Sequence, residues 1–315
     1  MRARLLLPAV IGALALAGCG QPGFTPGQAP VKLSEPPRPL ATATASYLGV
    51  FELGVPQSYQ PVTQFAVSAG RRPNLALYFS GTRQPFALAF ARQARAHGAI
   101  PLIQMQPAGI SMADIAAGRL DRYLRSYADS VRAYGHPVVI GFAHEMNGNW
   151  YPWGFGHVSP ATWVAAWRHV VTVFRGQGAR NVTWLWTVNW TQTDNPPLRA
   201  WWPGSRYVTW IGIDGYLTAP QSTFGTVFAP TVADIRAFSN APVLIAETAV
   251  GPRSGQVAKI PGLFAGVRED HLLGLVWFDI AQNQGAYHQD WRLEDHPAAL
   301  AEFRREAAAL PPGQP

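Results

Sequence analysis

Residues 138–189 hold VVIGFAHE (138–145), SPATWVAAWRHVVTVF (159–174) and VTWLWTVN (182–189), and this triplet decides the fold class. The outer two segments are short apolar runs, as expected of strands buried on both faces. The middle one places Trp163, Trp167, Val170, Val171 and Phe174 at helical spacing. Ser159 stands as its N-cap and Pro160 in its first turn. A strand followed by a helix and another strand is the repeating unit of a parallel sheet.

The alternation continues outward. Before the triplet lie strand-like runs at 47–52, 74–80 and 100–106, with helices over 85–97, closed by Gly98, and 121–134, closed by Gly135. After it lie strands at 208–216, 242–250 and 273–280, with helices over 231–238 and 297–310. Eight such strands over roughly 265 residues favour an α/β fold of one (β/α)8 TIM barrel. The competing doubly wound open sheet normally carries a glycine-rich turn after its first strand, and Glu52-Leu53-Gly54-Val55-Pro56 is not one.

The barrel, assigned to 46–315, has a leader in front of it. Arg2 and Arg4 precede an apolar run over 5–16, too short to span a bilayer, and then come Leu16-Ala17-Gly18-Cys19. This resembles a bacterial lipobox, which implies a lipoprotein signal peptide over 1–18 and lipid attachment at Cys19. Cys19 is the only cysteine, so no intramolecular disulfide exists. Residues 19–45 carry Pro22, Pro26, Pro30, Pro36, Pro37 and Pro39 and read as a Pro/Gly-rich tether. The expected location is extracytoplasmic, on a bacterial membrane.

Composition narrows the function classes. Apolar residues make up 48 % of the chain, enough for a full core, and the net charge is +7. The basic residues are scattered, with no stripe interleaved with aromatics, so a nucleic-acid partner is not expected. No ligand cluster points to a metal or cofactor. His144-Glu145 is not a zinc-protease motif, because position 148, where the second histidine would stand, is Gly148. A monomer is expected.

Barrel chemistry sits at the C-terminal ends of strands. Of eight glutamates only Glu52, Glu145 and Glu247 fall there, together with Asp214 and Asp279. An acid closing a buried strand is paired, hydrogen-bonded or functional. Strands four and seven lie across a barrel from each other, so Glu145 and Glu247 can converge on one bond. Two convergent carboxyls suit glycoside hydrolysis, one protonating the leaving oxygen and the other attacking the anomeric carbon. The surrounding aromatics fit that substrate class: Trp150, Tyr151 and Trp153 follow Glu145, while Trp186, Tyr216 and Trp277 lie on strands five, six and eight. Sugar rings present apolar C–H faces that stack on such rings.

GFAHEMNGNWYPWG at 141–154 resembles the acid/base motif of glycoside hydrolase family 26. TWVAAWRHVVTVFR, NVTWLWTVN, WWPGSRYVTWIGIDGY, PVLIAET and GLVWFD follow in the family's order, so the resemblance spans nearly all of the chain from Tyr47 onward. It implies a retaining enzyme with Glu145 as acid/base and Glu247 as nucleophile. His144 would line the first sugar subsite, Trp150 the cleft, and Trp277 the platform under the reacting sugar. Tyr216 would hydrogen-bond the nucleophile, with Asp214 supporting that network. In a retaining enzyme the two carboxyls stand about 5–5.5 Å apart. The family acts on β-1,4-mannan, mixed-linkage β-glucan and β-1,3-xylan, which implies endo attack on a β-linked polysaccharide, mannan first. Two departures bear on that choice: Gly141 stands where the family often has arginine, and Phe278 where many of its mannanases have a basic residue. Two other readings share these residues: a binding barrel without catalysis, and a surface-glycan transglycosylase.

Overall fold

The computed structural model describes residues 40–191, 196–281 and 287–311. Cys19, the expected signal peptide and most of the expected tether lie outside the described residues. Eight parallel strands close into a barrel in chain order: β1 Tyr47–Phe51, β2 Leu75–Gly81, β3 Ile100–Gln106, β4 Val138–Phe142, β5 Val182–Asn189, β6 Trp210–Asp214, β7 Val243–Thr248 and β8 Gly274–Phe278, which returns to β1. The (β/α)8 barrel read from the alternation is the fold.

Around it run α1 Gln60–Ala69, α2 Leu88–Ala96, α3 Met112–Ala116, α4 Asp121–Tyr134, α5 Pro160–Gly176, α6 Phe224–Val227, α7 Ala229–Arg236, α8 Gln256–Glu269 and α9 Pro297–Ala308. α5 begins as its sequence dictates, with the Ser159 hydroxyl accepting from the Thr162 N–H at 3.1 Å. α4 ends at Gly135, which takes the left-handed conformation at φ 72° and donates its N–H to the Val131 carbonyl. Sequence patterning gave no helix between β1 and β2, where α1 stands, nor between β7 and β8, where α8 runs across Pro261.

Alternation along the strands decides which side chains meet a ligand. On β5, Trp184 and Trp186 turn outward. Trp184 packs on Trp167 and Phe174 of α5, and Trp186 packs edge-to-face on Trp202 at 5.1 Å. Thr187 and Asn189 turn inward. On β8, Trp277 turns outward onto Phe303 of α9, while Phe278 turns inward.

Inside, Gln104 of β3 reaches across Gly141 of β4 and donates to the Thr187 hydroxyl of β5 at 2.9 Å. A Cβ on Gly141 would meet the Gln104 Oε1 at 2.0 Å. The glutamine thus occupies the space that a side chain at 141 would need. Between β6 and β7 the register shifts: Ile213 pairs with Ile245, but Asp214 pairs with Glu247, passing over Ala246. A bulge of this kind re-aims side chains. Ala246 already faces inward, its Cβ 3.0 Å from where a Gly212 Cβ would stand, and the bulge brings Glu247 inward as well.

Candidate active site

The C-terminal mouth of the barrel opens into a cavity of about 610 Å³. Glu145 and Glu247 both line it, and both are almost fully buried. The two carboxyls picked from the sequence therefore share one space.

Glu145 stands just past the end of β4, on a turn that L-residues rarely adopt. Its φ is 54°, and Ala143 two residues earlier has φ 49°. Such backbone costs of order 1–3 kcal/mol per residue and persists where surrounding contacts fix it. Here those contacts are explicit. The Ala143 N–H donates to the Met105 carbonyl, and the Glu145 N–H to the Thr187 carbonyl at 3.0 Å. Asn147 and Asn189 clasp reciprocally: the Asn147 Nδ2 donates to the Asn189 carbonyl at 2.8 Å, and the Asn189 N–H to the Asn147 Oδ1 at 2.9 Å.

Each oxygen of Glu145 accepts from a different element. Asn189, the last residue of β5, donates its Nδ2 to Oε1 at 2.7 Å. Trp150, in the loop beyond β4, donates its Nε1 to Oε2 at 2.8 Å. Glu247 accepts a short bond, 2.6 Å, from the Tyr216 hydroxyl on Oε2. Tyr216 is itself stacked on Trp291 at 4.5 Å, which fixes the plane of its ring. Burial pushes both carboxyls up from the ordinary range, and the charge of Glu145 pushes Glu247 up further. The Asn189 and Trp150 N–H groups oppose the rise on Glu145, and the Tyr216 hydroxyl opposes it on Glu247. Burial and the neighbouring like charge both oppose ionising the two groups together, the condition that acid–nucleophile chemistry requires.

The wall around the pair is aromatic. Trp150, Tyr151, Tyr216, Tyr287, Phe79 and Phe278 line it, together with the amides of Gln106 and Asn189. Phe278 stacks on Phe51 at 4.4 Å, so the position where a basic residue was looked for carries an apolar face.

Several residues expected in the site stand elsewhere. Trp186 and Trp277 are fully buried on the outer face of the barrel, because strand alternation turns them to the helices. Trp153 is buried behind Tyr151, stacked on it at 4.4 Å, with its indole N–H on the His144 carbonyl. His144 is buried too. Desolvation pushes its imidazole down to about 3, so the ring is neutral, and its Nε2 lies 3.3 Å from the Tyr151 hydroxyl. It positions a wall residue and does not line the cavity. Asp214 is fully buried beside Glu247 and stands off the cavity wall; burial together with that neighbouring charge holds its carboxyl well above the usual range.

Sequence reasoning passed over Asn189, Gln106, Phe79 and Tyr287 as wall residues. Asn189 and Gln106 are polar residues closing apolar strands, the criterion applied to the glutamates; extended to amides it would have found them. Tyr287 lies in the connection after β8 and has no such signal.

The family model for glycosyl hydrolase family 26 matches residues 90–293. Endoglucanase H of Acetivibrio thermocellus is 30 % identical over 274 residues, 82 % of this chain and 30 % of that protein. Mannan endo-1,4-beta-mannosidase A and B of Caldalkalibacillus mannanilyticus is 27 % identical over 101 residues, 30 % of this chain and 19 % of that protein. The chain thus spans under a third of the length of these curated relatives. Among solved structures, a modular endo-beta-1,4-mannanase from Cellulomonas fimi superimposes with a TM-score of 0.65 at 18 % identity, covering 85 % of this chain and 75 % of that one, a likeness of fold. With the family model spanning β3 to β8 and both cavity carboxyls, the chain belongs to glycosyl hydrolase family 26.

Proposed function

We propose that this barrel is a retaining glycoside hydrolase that cleaves internal β-linkages of a polysaccharide by double displacement. The observation that carries the reading is the pair Glu145 and Glu247 opening on one aromatic-walled cavity, each with its own hydrogen-bond donors.

In the first step a carboxylate oxygen of Glu247 attacks the anomeric carbon while protonated Glu145 gives its proton to the departing glycosidic oxygen. The bond from carbon to the leaving oxygen breaks as the ester to Glu247 forms. In the second step Glu145, now anionic, takes a proton from water, and that water oxygen displaces Glu247 from the same carbon. The Tyr216 O–H steadies the Glu247 charge before attack and after release. Phe278, Tyr151 and Trp150 offer ring faces to sugar C–H surfaces.

A β-1,4-mannan is the first substrate to test, followed by mixed-linkage β-glucan and β-1,3-xylan. A specific observation favours glucan: the match to an endoglucanase covers 82 % of the chain, and that to a mannosidase only 30 %. The test is to incubate the full chain with β-1,4-mannan, mixed-linkage β-glucan, β-1,3-xylan and cellulose. New reducing ends are counted, and the anomer released first is read by NMR. Retained configuration on one polymer carries the reading. Inversion would overturn the double displacement, and binding without cleavage would favour a carbohydrate-binding barrel. Transfer to an added acceptor sugar in preference to water would favour a transglycosylase.

We also propose that the chain acts as a monomer tethered by a lipid on Cys19. Incorporation of labelled fatty acid, lost in Cys19→Ser, tests the anchor.

A further inference from the structure

The donors on Glu145 present a chemical difficulty, and their placement suggests its resolution. A general acid needs a proton on the oxygen that faces the leaving group. Yet both Glu145 oxygens already accept from N–H groups, 2.7 Å from Asn189 and 2.8 Å from Trp150. N–H donors favour the anion. The two donors therefore oppose the protonated form that the first step needs.

The two donors differ in how firmly they are held. Asn189 is buried at the end of β5, and its backbone is clasped to Asn147 in both directions. Trp150 is 49 % exposed, the most exposed of the cavity's aromatic residues. Its ring lies over Gly148, where a Cβ would meet Trp150 Cη2 at 2.2 Å. The glycine is what lets the indole lie down and reach Glu145. Trp150 also lines the space that a sugar must enter.

We infer that the Trp150 indole N–H is a displaceable hold on Glu145: a bound glycan takes its place at Oε2, and only then does a proton settle on Glu145. This rests on the hydrolase reading of the pair. The balance is simple. One proton moves from the Glu247 side to Glu145, one N–H···O bond is lost, and Glu247 is left as the anion under the Tyr216 hydroxyl. Glu145 faces Glu247 from β7, Asp214 and Tyr216 from β6 and its extension, Tyr151 from its own loop and Tyr287 from beyond β8. His144 beside it is neutral and Asp214 stands off the cavity, so Glu247, which shares the cavity, is the neighbour with which Glu145 exchanges.

Three variants of the full chain test this: Trp150→Phe keeps a ring but no N–H, Gly148→Ala keeps the indole but lifts it, and Asn189→Ala removes the fixed donor. The carboxyl of Glu145 is titrated by 13C NMR in the ligand-free protein, with its resonance assigned through Glu145→Gln. Trp150→Phe and Gly148→Ala should each raise its midpoint by roughly one pH unit, the worth of a hydrogen bond to a charged group. On whichever polymer is cut, the alkaline limb of kcat/KM should rise with it, because that limb reports the free enzyme. The alkaline limb of kcat should stay, because the indole has already left in the complex. Asn189→Ala should move both limbs. A Glu145 midpoint unmoved in both Trp150→Phe and Gly148→Ala overturns the inference while leaving the hydrolase reading standing. Equal movement of both limbs in Trp150→Phe also overturns it, since the indole would then stay on Glu145 throughout. A moved midpoint with no polymer cut overturns the hydrolase reading and the substrate step with it.

Discussion

The mouth of the barrel holds two pairs of carboxyl groups, and they differ in what surrounds them. Glu145 and Glu247 open on the cavity, with N–H and O–H donors aimed at three of their four oxygens. Glu52 and Asp279, at the ends of β1 and β8, do not line it: the Asp279 Oδ1 accepts from the Trp277 indole at 3.1 Å and from the Leu293 N–H at 2.9 Å. Burial and like charge push Glu52 up to about 10 and Asp279 up to about 7. A perturbed carboxyl at a strand end is thus common to both pairs. Access to a ligand belongs to one pair only, and that is the feature that marks chemistry.

The largest expected effect comes from breaking the open pair. Glu247→Ala and Glu145→Ala should each lower kcat on polymer by roughly 10⁴- to 10⁶-fold. Azide separates their roles on an aryl β-glycoside whose leaving group needs no acid. With Glu145→Ala the product should be the β-glycosyl azide, formed through the Glu247 ester. With Glu247→Ala it should be the α-azide, formed by direct attack. The same azide anomer from both variants would mean that the two carboxyls do not have distinct roles.

Tyr216→Phe is the next step down. It removes one hydrogen bond to a charged group, about 1.5–3 kcal/mol, and should lower kcat/KM by roughly 10- to 150-fold. The hydroxyl favours the Glu247 anion, so its loss raises the Glu247 pKa. The acid limb of kcat/KM, which requires that anion, should move to higher pH. An unmoved acid limb would leave Tyr216 as packing for Trp291 and no more.

The closed pair should answer to pH in stability and not in rate. Both of its groups have folded pKa values above the unfolded ones, so their contribution is complete below about pH 4 and is lost as pH rises through the folded values. Melting temperature should therefore fall between pH 5 and 9. Glu52→Gln removes one titrating group and should make that fall shallower, by roughly 2–4 °C at pH 9, the effect of about 1 kcal/mol on a domain of this size. Its kcat should match the parent's, because Glu52 does not border the cavity. A large loss of rate would join the two pairs into one site.

What could be read from sequence follows the same division. The strands were legible because each is an apolar run between turn residues; 100–106 and 182–189 coincide with β3 and β5. Glu145 and Glu247 were legible because a charge at the end of such a run stands out. The facing of the aromatics was not. A strand buried on both faces has no polar alternation from which to read parity, so Trp186 and Phe278 cannot be told apart by pattern. Strand bulges add to this: the one at Ala246 is what turns Glu247 inward, and nothing in PVLIAET announces it.

Parity itself can be tested, and it carries the smallest expected effect. Trp186 is fully buried against Trp202 and Phe238, and its indole nitrogen has no hydrogen-bond partner among the described residues. Trp186→Phe gives up contact area but also sheds a buried, unsatisfied donor. The two effects oppose each other, so stability should change by no more than about 1 kcal/mol. KM should not move, since the ring faces the helices. Phe278→Ala, one strand face away from Trp277, should instead raise KM on the cleaved polymer, because it strips a stacking surface from the cavity. A higher KM in Trp186→Phe with none in Phe278→Ala would place the sugar on the other face of these strands, and the outward assignment of Trp186 and Trp277 would be wrong.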